Sequence, residues 1–105
     1  MNNMECVDVF GDGVMLTASV RATILEKHPE AVDFIDLLCD VLAYPDEVRQ
    51  SLRDPRVVLY YQFSESVLAG KWIAVVVKRI DRNFVSTVYA TDKIKSGELL
   101  WKRTT

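Results

Sequence analysis

From Ala31 to Leu42 the apolar residues keep a single helical spacing, and this constrains the fold more than any other feature of the chain. Ala31, Phe34, Ile35, Leu38, Val41 and Leu42 follow i, i+3, i+4, i+7, i+10 and i+11, while Asp33, Asp36 and Asp40 take the opposite face. Past Tyr44-Pro45 the period changes to two, with Val57-Val58-Leu59-Tyr60-Tyr61-Gln62-Phe63 as a strand, and Trp72–Val77 is apolar on both sides, as a central strand covered on both faces is. A chain that buries one helical stripe and then alternates must stack helix on sheet. The predicted class is α+β: two N-terminal helices, over 18–28 and 31–43, packed on an antiparallel sheet of three to five strands containing 57–63, 71–80 and 84–91. Phe34, Leu38, Val41, Val76 and Val88 are expected to share one core.

Punctuation residues set the ends. Thr17 is a good N-cap, and Val20, Ile24 and His28 recur four apart behind it. Pro29 disfavours the α conformation at His28, which ends the first helix, and suits the first turn of a second one, with Glu30 adding favourable charge. Upstream, Val7-Asp8-Val9-Phe10 runs into Gly11-Asp12-Gly13 and then Val14-Met15-Leu16, a short hairpin or an extended arm. Val48 reads as an edge segment, Asp54-Pro55 breaks the chain, 64–70 is a loop, and Asp81-Arg82-Asn83 is a hairpin turn. Leu99-Leu100-Trp101 closes an edge or packs back on the core.

At 105 residues the chain is read as one domain over 1–105. Half of it is apolar and 27% is charged, an ordinary globular composition. The longest apolar run, Trp72–Val77, is far too short to span a membrane, and the first residues lack a basic and apolar leader, so a cytoplasmic protein with no membrane partner is expected. Cys6 and Cys39 read as small buried thiols, since Cys39 lies within the helical stripe and no secretory signal precedes it. One histidine and two cysteines without CxxC spacing give no zinc site, and no metal or other cofactor is expected.

Charge divides the chain. Residues 1–70 carry 5 Lys/Arg against 12 Asp/Glu, whereas residues 71–105 carry 8 against 3. A polyanion such as RNA can therefore meet a basic strand region on an acidic protein, while the same residues also read as solvated edge charges. If the hairpin turn pairs Ile80 with Phe84, one strand face holds Trp72, Ala74, Val76, Ile80, Phe84, Val88 and Ala90 against the helices, with Lys78 and Ser86 as its exceptions. The other face then gathers Arg79, Thr87, Tyr89 and Thr91 over Ile73, Val75, Val77 and Val85. A cation, two hydroxyls and a phenol on one face suit a phosphate. They are equally good strand formers on a half-exposed surface, and a slip of one residue exchanges the faces.

Five segments carry a resemblance: Ile24-Leu25-Glu26-Lys27-His28-Pro29-Glu30, Tyr44-Pro45-Asp46-Glu47-Val48, Arg53-Asp54-Pro55, Leu59-Tyr60-Tyr61, and the run Thr87-Val88-Tyr89-Ala90-Thr91-Asp92-Lys93-Ile94-Lys95-Ser96-Gly97-Glu98-Leu99-Leu100-Trp101. In order and spacing the set resembles small phage- and bacteria-associated nuclease-like domains of the barnase–EndoU–colicin–RelE superfamily. The resemblance implies metal-independent endoribonuclease activity of toxin type, with His28, Arg53, Thr87 and Tyr89 as catalytic residues and Lys78 as a further phosphate contact; the strand-face reading adds Arg79 and Thr91 as substrate contacts. It also implies RNA as substrate and an inhibitory protein as partner. Thr23 stands where a second histidine often precedes the isoleucine of the first helix in that family. The departure points to a weakened enzyme, or to a binding or regulatory module of the same fold. Cleavage by the 2′-hydroxyl needs a base, an acid for the leaving 5′-oxygen and positive charge on the phosphate. His28 reads as that acid or base, or else as a cap at the end of a helix.

Overall fold

A computed structural model describes residues 3–104. A hairpin of β1 (Met4–Val7) and β2 (Gly13–Leu16) precedes helix α1 (Ala18–Lys27). Two 3-10 turns, Pro29–Asp33 and Ile35–Leu37, lead into α2 (Leu38–Ala43). Five strands follow: β3 (Glu47–Ser51), β4 (Val57–Ser64), β5 (Lys71–Arg79), β6 (Asn83–Thr91) and β7 (Gly97–Lys102). All seven strands join one sheet in the order β1-β2-β6-β5-β4-β3-β7.

The α+β class is as predicted, but the sheet is not. It has seven strands rather than three to five, and it is mixed, because β2 joins β6 in parallel at Met15↔Phe84. The surplus comes from segments too short to show a period. The N-terminal hairpin adds β1 and β2, and 97–102 adds β7 as an edge. The Val48 segment is an interior strand, lying between β4 and β7. β7 fits so closely against β3 that a Cβ on Gly97 would run into the Gln50 carbonyl.

The first helix forms as expected, with the Thr17 hydroxyl accepting from the Val20 N–H and His28 as the C-terminal cap. The predicted second helix is broken. Phe34 (φ −138°, ψ −2°) interrupts it, leaving two 3-10 turns and the six residues of α2. The burial pattern survives the break, because residues three apart eclipse in a 3-10 turn. Ala31 with Phe34 and Ile35 with Leu38 therefore still face inward, followed by Val41 and Leu42.

These side chains pack on the sheet face formed by Val48, Val58, Tyr60, Ile73, Val75, Val77, Val85 and Val88. Val76 is not among them. The hairpin of β5 and β6 pairs Arg79 with Asn83, not Ile80 with Phe84, and the register shifts again where Val76 pairs Thr87 and Val77 pairs Val85. The extra residue is Ser86, a β-bulge. β5 also presents the opposite face from the one expected: Ile73, Val75 and Val77 meet the helices, while Trp72, Ala74 and Val76 face away, and the bulge sets Thr87 and Tyr89 on the side of Val76 and Ala74.

Cys6 and Cys39 are not free thiols. They form a disulfide that ties β1 to α2, with Cα atoms 5.2 Å apart, inside the usual range. Among the described residues no helix is long and apolar enough to cross a membrane.

Candidate functional site

The two faces of the sheet differ in what covers them. Both helices pack on one face. On the other, Leu59, Tyr61 and Ala74 form a small cluster with Val57, Trp72, Val76, Tyr89 and Ile94, and no helix covers it. The cover there is the connection 92–96, which runs from β6 across to β7 at the far side of the sheet. Ile94 plugs the cluster, and the Lys95 N–H donates to the Tyr61 hydroxyl at 3.1 Å. The Lys95 ammonium lies 5.9 Å from the centre of the Tyr89 ring, within cation–π range.

Residue parity places Lys78 on this helix-free face, in line with Ala74 and Val76, and Thr87 beside it opposite Val76. Arg53 joins from the β3–β4 loop. With Ser51, Leu52, Lys95 and Ser96 it lines a cleft of about 260 Å³ between that loop and the β6–β7 connection. Arg53 and Lys95 thus line the cleft, while Lys78, Thr87 and Tyr89 lie on the same sheet face outside its lining. Burial, and then the neighbouring Tyr61, push the Tyr89 phenol up to about 12. Its buried hydroxyl lies beside that of Tyr61, which shares in the upward push, and makes no well-formed hydrogen bond. Burial likewise raises Tyr61.

Of the residues singled out in the sequence, Lys78, Thr87 and Tyr89 share this face and Arg53 borders it. Thr91 lies at its end, but its hydroxyl is committed to a turn, donating to the Lys93 carbonyl and accepting from the Lys93 N–H. His28 and Arg79 lie elsewhere. His28 belongs to the helical layer, half-exposed, with Nδ1 3.4 Å from the Glu30 carboxylate. Thr23 is exposed on the same helix, its hydroxyl donating to the Ser19 carbonyl.

Arg79 was expected beside Thr87 and Tyr89, exposed. The inverted β5 instead turns it toward the helix side, into a polar cluster that sequence reasoning missed. Asp8, whose side chain is fully buried, accepts from the Phe10 and Asp12 N–H groups with one oxygen. Its other oxygen accepts from the Tyr60 hydroxyl at 2.6 Å and from Arg79 Nη2 at 3.1 Å. Arg79 also donates to the Tyr60 oxygen and lies 5.4 Å from the centre of the Phe10 ring. Burial, reinforced by Asp8, raises the Tyr60 phenol far above its usual range. The cluster pins the 8–12 loop to the sheet. Its one legible sign was an acid, Asp8, set within the apolar alternation of Val7-Asp8-Val9-Phe10.

Among the described residues no group of three or more His, Cys, Asp and Glu side chains could hold a metal ion. Comparison with protein-family models, with curated proteins and with solved structures finds no match.

Proposed function

We propose that the chain is a metal-independent endoribonuclease-like domain of toxin type, which holds RNA on its helix-free sheet face and cleaves it slowly. The observation that carries this reading is the gathering of Arg53, Lys78 and Lys95 on or beside one apolar sheet face that also presents Thr87 and Tyr89. The family resemblance of the sequence supports it. In the reaction the 2′-oxygen attacks phosphorus, the bond to the 5′-oxygen breaks, and a 2′,3′-cyclic phosphate and a 5′-hydroxyl result. Cations stabilise the crowded phosphate. Tyr89, a protonated phenol at neutral pH, donates to the leaving 5′-oxygen once the 92–96 connection that buries its hydroxyl lifts to admit the strand. It does not take the 2′ proton, which passes to water, and the missing base makes turnover slow.

The second reading, a binding or regulatory module of the same fold, is favoured by one observation: His28 is not brought to this face. A protein inhibitor, on either reading, covers the same basic surface. RNA as the target places the work of the domain in the cytoplasm.

The test is cleavage of a mixed RNA pool with chelator present, scored by 2′,3′-cyclic phosphate ends. Tyr89→Phe should slow cleavage by about 10²-fold or more, as loss of a general acid does, and His28→Ala should leave the rate within a few-fold. A His28→Ala variant that loses activity while Tyr89→Phe keeps it would overturn the assignment. RNA binding without any cyclic phosphate product would select the second reading.

A further inference from the structure

At the opposite end of the helix-free face from Lys78 lies an aromatic pair. Phe63 and Trp72 are register partners on β4 and β5, with ring centres 5.3 Å apart and planes at 73°. Phe63 is 46% exposed, unusual for a phenylalanine with a ring partner already in place. Its position is held from behind. The β4–β5 loop ends at Gly70, whose φ of +102° favours glycine, and an added Cβ would stand 3.3 Å from Phe63 Cζ, a tight contact with the ring. Leu68 and Ala69 just before it are both in the left-handed region, at φ 48° and 63°. Non-glycine residues held there cost free energy, and such strain gathers where a site must be kept in shape.

The pair floors a cleft of about 330 Å³ whose rim is Asp46, Glu47, Lys102 and Arg103. The rim is balanced in charge. Asp46 pairs with Arg103 and accepts from the Phe63 N–H, and Glu47 pairs with Lys102 and Arg49. A phosphate gains little from such a rim. An uncharged flat ring loses nothing at such a rim and gains by stacking on Phe63. The cleft thus differs from the cationic end of the face, and the two lie about 20 Å apart, six residues along a strand at about 3.3 Å each. Lys93 and Lys95, on the connection that crosses between them, supply positive charge along the way.

We propose that Phe63 and Trp72 form a stacking site for an unpaired nucleobase, which makes single-stranded RNA, not duplex, the ligand of the helix-free face. The proposal rests on the RNA-binding reading above and adds the substrate class to it. In a duplex both faces of each base are already stacked, so the platform has nothing to receive.

The experiment is a fluorescence-anisotropy titration at low salt with three labelled probes: a short single-stranded RNA of mixed sequence, an abasic strand of the same length, and the same RNA annealed to its complement. Wild type should bind the first tightest. Phe63→Ala should weaken it by about 5- to 100-fold, the usual loss of one stacked base, and leave the abasic strand unchanged. Phe63→Tyr, which keeps a ring, should restore binding, and matched melting temperatures for both variants show that the platform and not the fold is being read. If wild type binds the single strand and Phe63→Ala binds it equally well, or if duplex competes on equal terms, the stacking site is wrong while the RNA-binding reading stands. If wild type binds none of the three, both fall.

Discussion

The two faces of one sheet treat their polar groups in opposite ways. On the helix-covered face the buried carboxylate of Asp8 has a partner for each oxygen, from two backbone N–H groups, a phenol and a guanidinium. On the helix-free face the Tyr89 hydroxyl is buried and unmatched, and Lys78, Lys95 and Arg53 reach solvent without an ion pair. Polar groups committed to one another hold a fold together. Groups left with free capacity are the ones able to receive a ligand. The contrast separates Arg79 from Arg53, two cations that composition and spacing treat alike.

The largest effect should come from the committed face. Asp8→Ala removes the buried acceptor that Tyr60 and Arg79 share and leaves the partly buried guanidinium only the longer, half-exposed pair with Asp12, at 3.8 Å. Breaking a buried pair this way costs about 3–5 kcal/mol, to be read as a lower urea midpoint with unchanged slope. The fraction that stays folded should bind RNA as before. An Asp8→Ala protein of wild-type stability would end the contrast. Reduction of the Cys6–Cys39 bond comes next. It frees a loop closed over a separation of 33 residues, and the chain-entropy argument gives a loss of about 2–4 kcal/mol. Melting with and without reductant measures it, and also tells whether the domain stays folded among cytoplasmic thiols.

How much of this was legible in the sequence follows from the same contrast. Strong periods were. The stripe from Ala31 to Leu42 is buried as read, and strands 57–63, 71–80 and 84–91 appear within a residue or two. What failed was every inference that needed a register. Pairing Arg79 with Asn83 in place of Ile80 with Phe84 keeps the parity of the turn. The helix-facing side of β5 was misread because Trp72, Ala74 and Val76 are as apolar as Ile73, Val75 and Val77, and the bulge at Ser86 is what parts Arg79 from Thr87 and Tyr89. The bulge at Ser86 then brought Val88 to the predicted side by a compensation no periodicity could reveal. Short strands such as Met4–Val7 hold too few residues to show alternation, and so the seven-stranded sheet was read as smaller. The candidate site was half legible: residue types chose Lys78, Thr87, Tyr89 and Arg53, but the packing that left Lys95 beside Tyr89 depends on how the 92–96 connection crosses the sheet.

Charge reversal tests the free face directly. Arg53→Glu should weaken single-stranded RNA about tenfold at low salt and reduce the slope of log affinity against log salt by about 1, the signature of one lost phosphate contact. Stability should hold within about 0.5 kcal/mol, since Arg53 is exposed and its side chain pairs with no other among the described residues. The same reversal at Arg79 should instead unfold the domain. Equal loss of stability for both would erase the distinction between the faces.

The smallest effect is the sharpest probe of the unmatched phenol. Tyr89 is pushed up to about 12, by burial first and then by Tyr61, whereas an unfolded tyrosine titrates near about 10. Between those values the unfolded chain has given up a proton that the folded one retains, so it binds fewer protons and stability falls as pH rises. Below about pH 10 both states hold the proton and this group contributes no pH dependence. Tyr89→Phe removes one such group, so its stability should decline less steeply than wild type from pH 10 to 12, while Tyr61 and Tyr60 keep part of the slope. At pH 7 the substitution deletes a buried hydroxyl that makes no well-formed hydrogen bond, and stability should stay level or rise slightly. A clear loss at pH 7 would show that the hydroxyl is bonded within the fold, to Tyr61 or another group, and would move Tyr89 from the free face's inventory to the committed one.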